Sequence, residues 1–177
     1  MRKFLSSLTG LTTLFVICFS YVVKADAQSA GYYRVNRIID GDTYEIADSW
    51  GNLTKIRLAC ADAPETYYSF KSKPGYANQS YWGGLATNKV TQLISQSNNT
   101  IWFNPNSGKS YDRTVGDVYL TNGTLIQSAL ASEGLAMLDR SYGNCNSSEE
   151  QAQAYAQWYR IGVWSDPNFI PPWLFRK

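Results

Sequence analysis

The chain has no histidine among its 177 residues. This absence excludes histidine general acid–base catalysis, the Ser-His-Asp triad with its Cys-His relatives, and zinc sites with histidine ligands. The three cysteines, Cys18, Cys60 and Cys145, are too scattered to match the spacing of a zinc site. A metal bound by this chain would therefore have oxygen ligands, and calcium, magnesium and manganese are the candidates.

The N-terminal segment has the pattern of a secretory signal peptide. Arg2 and Lys3 precede a largely apolar stretch over residues 4–23, and the small-x-small sequence at residues 25–27 is typical of a cleavage site. We expect removal of residues 1–27. The alternative is an uncleaved membrane anchor, since the stretch approaches the ~20 residues that span a bilayer, although its Ser and Thr content disfavours this.

The chain without residues 1–27 also has no excess of charge of either sign. Residues 28–177 keep 13 of the 16 basic residues and 13 of the 14 acidic residues. A strongly basic domain is typical of nucleic-acid binders, so any affinity for a polyanion must come from local clusters of charge. The remaining 150 residues suit one domain with its own core. Cys60 and Cys145 could pair after export or stay free, and the sequence leaves this open.

The hydrophobic pattern predicts mostly short strands. Apolar and β-branched residues alternate at 32–39, 43–47, 53–61, 101–103 and 115–121. Helices are predicted at 81–95, 125–131 and 147–160, the last with Ser147 as N-cap and Glu150 closing a capping box. Polar segments at 67–79 and 105–113 are predicted loops. Five strands and three helices favour an α+β fold with a small OB-like barrel.

Carboxylates and an arginine lie where these strands end. Asp42 and Asp62 each follow an apolar strand, and two facing carboxylates repel unless a cation lies between them. The pair therefore predicts a metal site, although each aspartate alone is typical of a turn. Arg57, inside an apolar strand, needs a carboxylate or a phosphate as partner. Glu65 could activate water as a general base or could be an ordinary loop carboxylate.

These residues resemble the staphylococcal nuclease (thermonuclease) family over residues 33–164. The motifs that carry the resemblance are Asp40-Gly41-Asp42-Thr43, Arg57-Leu58, Asp62-Ala63-Pro64-Glu65-Thr66 and Tyr111-Asp112-Arg113. The resemblance implies a five-stranded OB-fold barrel with three helices. It also implies a calcium-dependent endonuclease that acts on DNA and RNA and leaves 3′-phosphate ends. The signal pattern predicts that this enzyme is secreted or periplasmic, or membrane-anchored if the signal is not cleaved, and we expect single-stranded or frayed substrate to be favoured. A monomer without a protein partner is implied as well.

The resemblance also implies a role for each matching residue. Asp42 and Asp62 would be calcium ligands through their side chains, and Ala63 through its carbonyl. Arg57 and Arg113 would hold the phosphate, and Glu65 would activate water. The other implied residues are Asp40 as an outer-shell support and Tyr111 and Tyr142 as flanks of the nucleotide.

Three positions depart from the family pattern. Asp112 stands where the family usually has glycine, Ser110 replaces a lysine that is often present, and Arg140 replaces a second tyrosine. Asp112 could compete for the neighbouring Arg113. A non-catalytic OB-fold module that binds nucleic acid or a partner is the alternative function.

Overall fold

The computed structural model describes residues 28–177, so the predicted signal segment lies outside the described residues. Within this range no helix has the length and apolar character needed to cross a membrane. In chain order the elements are β1 (Gly31–Ile38), β2 (Thr43–Ala47), β3 (Leu53–Leu58), β4 (Ala61–Asp62), α1 (Tyr76–Gln96), β5 (Thr100–Ser110), β6 (Arg113–Leu120), α2 (Ile126–Ser132), β7 (Met137–Leu138), α3 (Ser147–Tyr159) and the one-turn α4 (Pro172–Phe175).

Five strands close into a barrel in the order β1-β2-β3-β6-β5. All neighbouring pairs are antiparallel except β3 and β6, which run parallel. Alternate residues of the strands point inward, and Tyr44, Ile46, Ile56 and Phe103 are fully buried in the core. The barrel with its attached helices confirms the predicted OB-type α+β fold.

The predicted strand over 53–61 is two strands in the structure. β3 ends at Leu58, and Cys60 adopts a positive φ of 53°, which breaks the extended backbone. The chain then forms β4, which pairs with β7 in a separate two-stranded sheet. This break turns Asp62 away from the line of β3 and towards the β1–β2 turn.

Two predicted loops are partly regular structure. Residues 105–113 extend β5 and β6 into a long hairpin, because main-chain pairing continues to Ser110 and Arg113. Helix α1 begins at Tyr76, inside the predicted loop over 67–79, and continues through Gly83. A side chain at Gly83 would collide with the carbonyl of Pro64, so glycine there permits close packing of α1 under the 64–66 segment.

The capping box of α3 lies one residue earlier than predicted. Asn146, not Ser147, is the N-cap, and its side chain accepts hydrogen bonds from the backbone N–H groups of Ser148 at 3.0 Å and Glu149 at 3.1 Å. Glu149, not Glu150, returns the bond to the Asn146 N–H at 2.7 Å. Both spacings are present in the sequence, and the structure favours the one that buries Glu149 completely.

Burial makes Glu149 a pH-dependent element of stability. Desolvation, with smaller contributions from Asp117 and Glu150, raises the pKa of its carboxyl to about 7 from an ordinary value of 4.5. The folded state therefore binds a proton that the unfolded state releases, so this stabilisation is complete below pH 4.5 and is lost as the pH rises through about 7.

We expect Glu149→Gln to remove this dependence, because glutamine keeps the acceptor for the Asn146 N–H but cannot ionise. The free energy of unfolding of the variant, relative to the unchanged protein, should rise between pH 4.5 and about 7 and then level off. Urea denaturation at several pH values measures it. Glu150→Gln is the control, and a difference that does not vary with pH would contradict the prediction.

Candidate active site

The turn between β1 and β2 presents two carboxylates at the end of the barrel. Asp40 and Asp42 flank Gly41, and the Asp42 N–H donates a hydrogen bond of 3.0 Å to the side chain of Asp40. A Cβ atom on Gly41 would lie 2.7 Å from the Cβ atoms of both Ala63 and Ala86. Only glycine therefore allows this turn to lie against α1 and the segment after β4.

Arg57 joins the two predicted metal ligands. Its Nη1 lies 2.6 Å from Oδ1 of Asp42, and its Nη2 lies 2.7 Å from Oδ1 of Asp62. All three side chains are almost completely buried. Arg57 reaches this place because β3 pairs with β2 on one side and β6 on the other, which sets it opposite Thr43 and Val115.

Hydrogen bonds attach the segment after β4 to this cluster. The Ala63 N–H donates to Oδ2 of Asp42 at 2.9 Å. Two residues further on, the Glu65 N–H donates to the side chain of Gln79 on α1 at 3.0 Å. The Asp40 carboxylate in turn accepts a hydrogen bond of 3.0 Å from the hydroxyl of Tyr67. These contacts hold Glu65 at the same opening as the aspartates.

Burial raises the pKa values of three carboxyls of the cluster, those of Asp40, Asp62 and Glu65. Burial and then the charge of Asp42 raise the pKa of Asp40 to about 7. Burial is also the largest cause that raises the pKa values of Asp62 and Glu65, although neighbouring arginines oppose it. Negative charge is thus concentrated where little water screens it, and an additional cation would stabilise the ionised forms.

Arg113 lies beside the cluster without using a carboxylate as its partner. Its guanidinium donates to the carbonyl of Ser110 at 3.2 Å, to the Ser110 hydroxyl at 3.0 Å and to the Thr43 hydroxyl at 3.3 Å. Asp112 forms an ion pair with Lys55 at 2.7 Å and not with Arg113. The competition that the sequence suggested is therefore absent among the described residues, and Ser110 orients the arginine.

A disulfide between Cys60 and Cys145 secures the aromatic wall of the site. The Cys60 N–H donates to the carbonyl of Tyr142 at 3.2 Å, and the Asp139 N–H donates to the carbonyl of Cys60 at 3.1 Å. As a result the Tyr142 ring covers the guanidinium of Arg57, with its centroid 3.8 Å from Cζ. This distance is short enough for a cation–π interaction.

Tyr111 lies at the tip of the β5–β6 hairpin and is 91% exposed. Its ring centroid is 5.9 Å from Cζ of Arg113. Arg140, which replaces a tyrosine of the family pattern, forms an ion pair with Glu150 and is directed to that helix. Of the two positions, only Tyr111 offers an aromatic face next to the site.

The predicted site residues surround one cavity of about 260 Å³. Asp62 is the exception, since it lies fully buried beneath the others. The residues that line the cavity are Asp40, Asp42, Arg57, Ala63, Pro64, Glu65, Tyr67, Phe70, Tyr111, Arg113, Tyr142 and Arg176. Arg176 and Tyr67 are the polar residues that the sequence analysis missed, because a C-terminal arginine and a loop tyrosine carry no local pattern.

The chain is similar in sequence to known nucleases. The family model described as staphylococcal nuclease homologue matches residues 55–166. A micrococcal nuclease of Shigella flexneri is 29% identical over 186 aligned positions, which cover 100% of this chain and 96% of that protein. An uncharacterized endonuclease of Escherichia coli is 30% identical and covers 81% of this chain and 83% of its own length. Another from Haemophilus influenzae is 30% identical and covers 99% and 86%.

Proposed function

Because this chain belongs to the staphylococcal nuclease family, we propose that it is an exported, calcium-dependent endonuclease that hydrolyses DNA and RNA and leaves 3′-phosphate ends. The observation that carries the proposal is the juxtaposition of Arg57, bound to two aspartates, with Arg113, which has no carboxylate partner within residues 28–177. Two guanidinium groups beside a carboxylate cluster suit a phosphate held next to a divalent cation.

The residues present fit calcium by their chemistry. Asp42, Asp62 and the carbonyl of Ala63 are hard oxygen donors, and the pKa of Asp62 is raised by burial and, to a smaller extent, by the charge of Asp42. Within residues 28–177, no three His, Cys, Asp or Glu side chains converge as a complete metal-binding group. Water and substrate phosphate would supply the remaining ligands of calcium, which takes six to eight oxygens. Bound calcium would act as a Lewis acid on the phosphate.

The protein side chains account for the other parts of the reaction. Arg57 and Arg113 donate hydrogen bonds to the phosphoryl oxygens, on which charge increases as water attacks. Glu65 accepts a proton from that water, and burial, which raises the pKa of its carboxyl, makes it a stronger base. The bond from phosphorus to the 5′ oxygen then breaks, the phosphate stays on the 3′ oxygen, and the released 5′ oxygen takes a proton from solvent. Tyr142 and Tyr111 provide faces for the nucleotide on either side.

Three features support export and an unpaired substrate. A disulfide such as Cys60–Cys145 persists in oxidising compartments outside the cytosol, in agreement with the signal pattern of residues 1–27. The charge of residues 28–177 is balanced, so phosphate contacts are confined to the cavity and its rim. A cavity of about 260 Å³ with aromatic sides suits one nucleotide of a single or frayed strand.

We expect nucleic-acid hydrolysis to require calcium. In a gel that contains DNA or RNA, the protein should digest the nucleic acid when calcium is present and leave it undigested when a chelator is present. The reason is that two aspartates and a carbonyl bind no substrate phosphate without the cation. Asp42→Asn is the matched variant and should need more calcium. Full hydrolysis in the chelator, or activation by zinc alone, would contradict the metal assignment, and end-labelling of the products tests the 3′-phosphate.

The alternative is a module that binds oligonucleotides without cleaving them. The structure brings Asp42, Arg57, Glu65 and Arg113 to one opening, whereas a binding module needs no such combination. The same gel separates the two functions. A protein that retards a labelled oligonucleotide with calcium present, and leaves it intact, would favour the module.

A further inference from the structure

The C-terminal segment is packed against the site. The side chain of Gln79 on α1 donates to the carbonyl of Ile170 at 2.5 Å, and Lys73 donates to the carbonyl of Phe175 at 2.9 Å. Phe175 is 4% exposed, and its ring meets that of Phe70 edge to face at 5.5 Å. These contacts dock the backbone before Arg176 beside the site.

Arg176 uses this position to bind two of the site carboxylates. Its Nη1 lies 2.6 Å from Oε1 of Glu65 and 3.0 Å from Oδ1 of Asp62, and its Nη2 lies 2.8 Å from Oδ2 of Asp62. Contact with both oxygens of Asp62 is the bidentate geometry that makes arginine–carboxylate pairs strong. Asp62 is completely buried, so Arg57 and Arg176 together supply its counter-charge.

The oxygens that Arg176 binds are the ones a cation would need. A calcium ion binds carboxylate oxygens at about 2.3–2.6 Å, so a calcium ion on Asp62 would lie within a few ångströms of this guanidinium. Two positive groups at such a short distance repel each other strongly in a cavity where little water screens them. Arg176 also pairs with Oε1 of Glu65 at 2.6 Å, so one of the two oxygens of the proposed base is occupied while Arg176 is docked. Arg57 neutralises only one of the two charges of Asp42 and Asp62. Arg176 and calcium therefore compete for the other charge.

Given the calcium site proposed above, we propose that Arg176 is an internal competitor of the metal. It holds Asp62 and Glu65 in place as a positioning residue until calcium displaces it, and so it sets the calcium concentration at which the site fills. The C-terminal segment is the movable part, since α4 is a single turn and the Arg176 side chain is 27% exposed. Arg57, by contrast, is enclosed within the barrel wall.

The test is direct titration of the protein with calcium alone, in the absence of nucleic acid, by calorimetry. Arg176→Gln should bind calcium about 10- to 100-fold more tightly than the unchanged protein, the range of a typical coupling between two competing groups. Arg176→Lys should lie between them, because it keeps the charge but loses the fork. Lys177→Gln removes one positive charge next to Arg176 and should bind calcium as the unchanged protein does.

The direction of the change separates competition from simple support of the fold. If Arg176 only stabilised the site, its loss would weaken calcium binding, and equal or weaker binding by Arg176→Gln would overturn the inference while leaving the calcium site itself intact. If neither protein bound calcium, the metal assignment of the proposed function would be wrong, and this inference with it. Weaker binding by Asp42→Asn identifies the site that is being titrated.

Linkage gives a second measurement that needs no variant. If Arg176 opposes calcium, calcium must weaken the Arg176 contacts by the same factor, and these contacts help to dock the C-terminal segment. The N–H groups of Leu174, Phe175 and Arg176 donate to the carbonyls of Pro171 and Pro172, and we expect saturating calcium to speed their hydrogen exchange about 10-fold or more. Unchanged or slower exchange at these three amides would overturn the proposal.

Discussion

Replacing Arg113 by lysine is expected to lower kcat by about 100-fold or more, with little change in the affinity for a short single-stranded oligonucleotide. Lysine keeps the positive charge but has no planar fork with which to bind two phosphoryl oxygens. The interaction becomes strongest when charge has developed on the phosphate, so its loss affects the transition state more than the bound substrate.

Arg113 is a better probe of this role than Arg57. Arg57 neutralises Asp42 and Asp62 in the barrel wall, and removal of one partner from a buried pair costs about 3–5 kcal/mol of stability. A fall in activity of an Arg57 variant would therefore mix chemistry with folding. Arg113 contacts hydroxyl and carbonyl oxygens of Ser110 and Thr43, so its replacement leaves no buried carboxylate unpaired.

Steady-state hydrolysis with saturating calcium measures the effect, and equilibrium binding of an uncleavable oligonucleotide analogue, also with calcium, measures affinity separately. Asp112→Asn is the matched control, since Asp112 is next in sequence but pairs with Lys55 on the surface. Its kcat should stay within about twofold, because exposed ion pairs contribute little. An Arg113→Lys enzyme with unchanged kcat would refute the proposed role.

Loss of the disulfide is expected to lower the stability of the protein markedly. The bond joins positions 85 residues apart, and a closed loop of this length stabilises the folded state by restricting the unfolded chain, with a cost of removal of about 2–5 kcal/mol. For a domain of this size the midpoint of thermal unfolding should fall on the order of 10 °C in a Cys60→Ala/Cys145→Ala double variant. Calorimetry measures this change.

The double variant should also lose activity below its unfolding midpoint. Cys60 lies between Arg57 and Asp62, and the disulfide holds the segment whose Tyr142 covers the Arg57 guanidinium. A reductant should destabilise the unchanged protein by a similar amount and leave the double variant unaffected. Equal unfolding midpoints of the two proteins under oxidising conditions would contradict this prediction.

Much of the fold could be predicted because its signals are local. Alternation of apolar residues along β1 and β2 reports the pleat of a strand, and the Asp40-Gly41-Asp42 turn follows from the glycine between two carboxylates. The break at Cys60 could not be predicted in this way. A cysteine with positive φ is held there by a disulfide to residue 145 and by hydrogen bonds with Asp139 and Tyr142, and none of these contacts is local.

The capping box of α3 shows a similar limit. Asn146 with Glu149 and Ser147 with Glu150 are both acceptable pairs on sequence grounds, so local propensity cannot choose between them. The choice depends on which glutamate the packing of α3 buries, and only Glu149 faces the interior.

By itself the sequence determined the chemistry that is available: no histidine, clustered carboxylates, two arginines and an order of motifs that resembles one nuclease family. Residue types and short spacings are properties of the chain itself, so they can be identified without knowledge of the fold. The tertiary structure alone decided how the charges are paired. Arg176 pairs with Asp62, which is 114 positions away in the sequence, and Asp112 pairs with Lys55 and not with its neighbour Arg113. Such pairing depends on distances that only the packed barrel and the docked C-terminal segment establish.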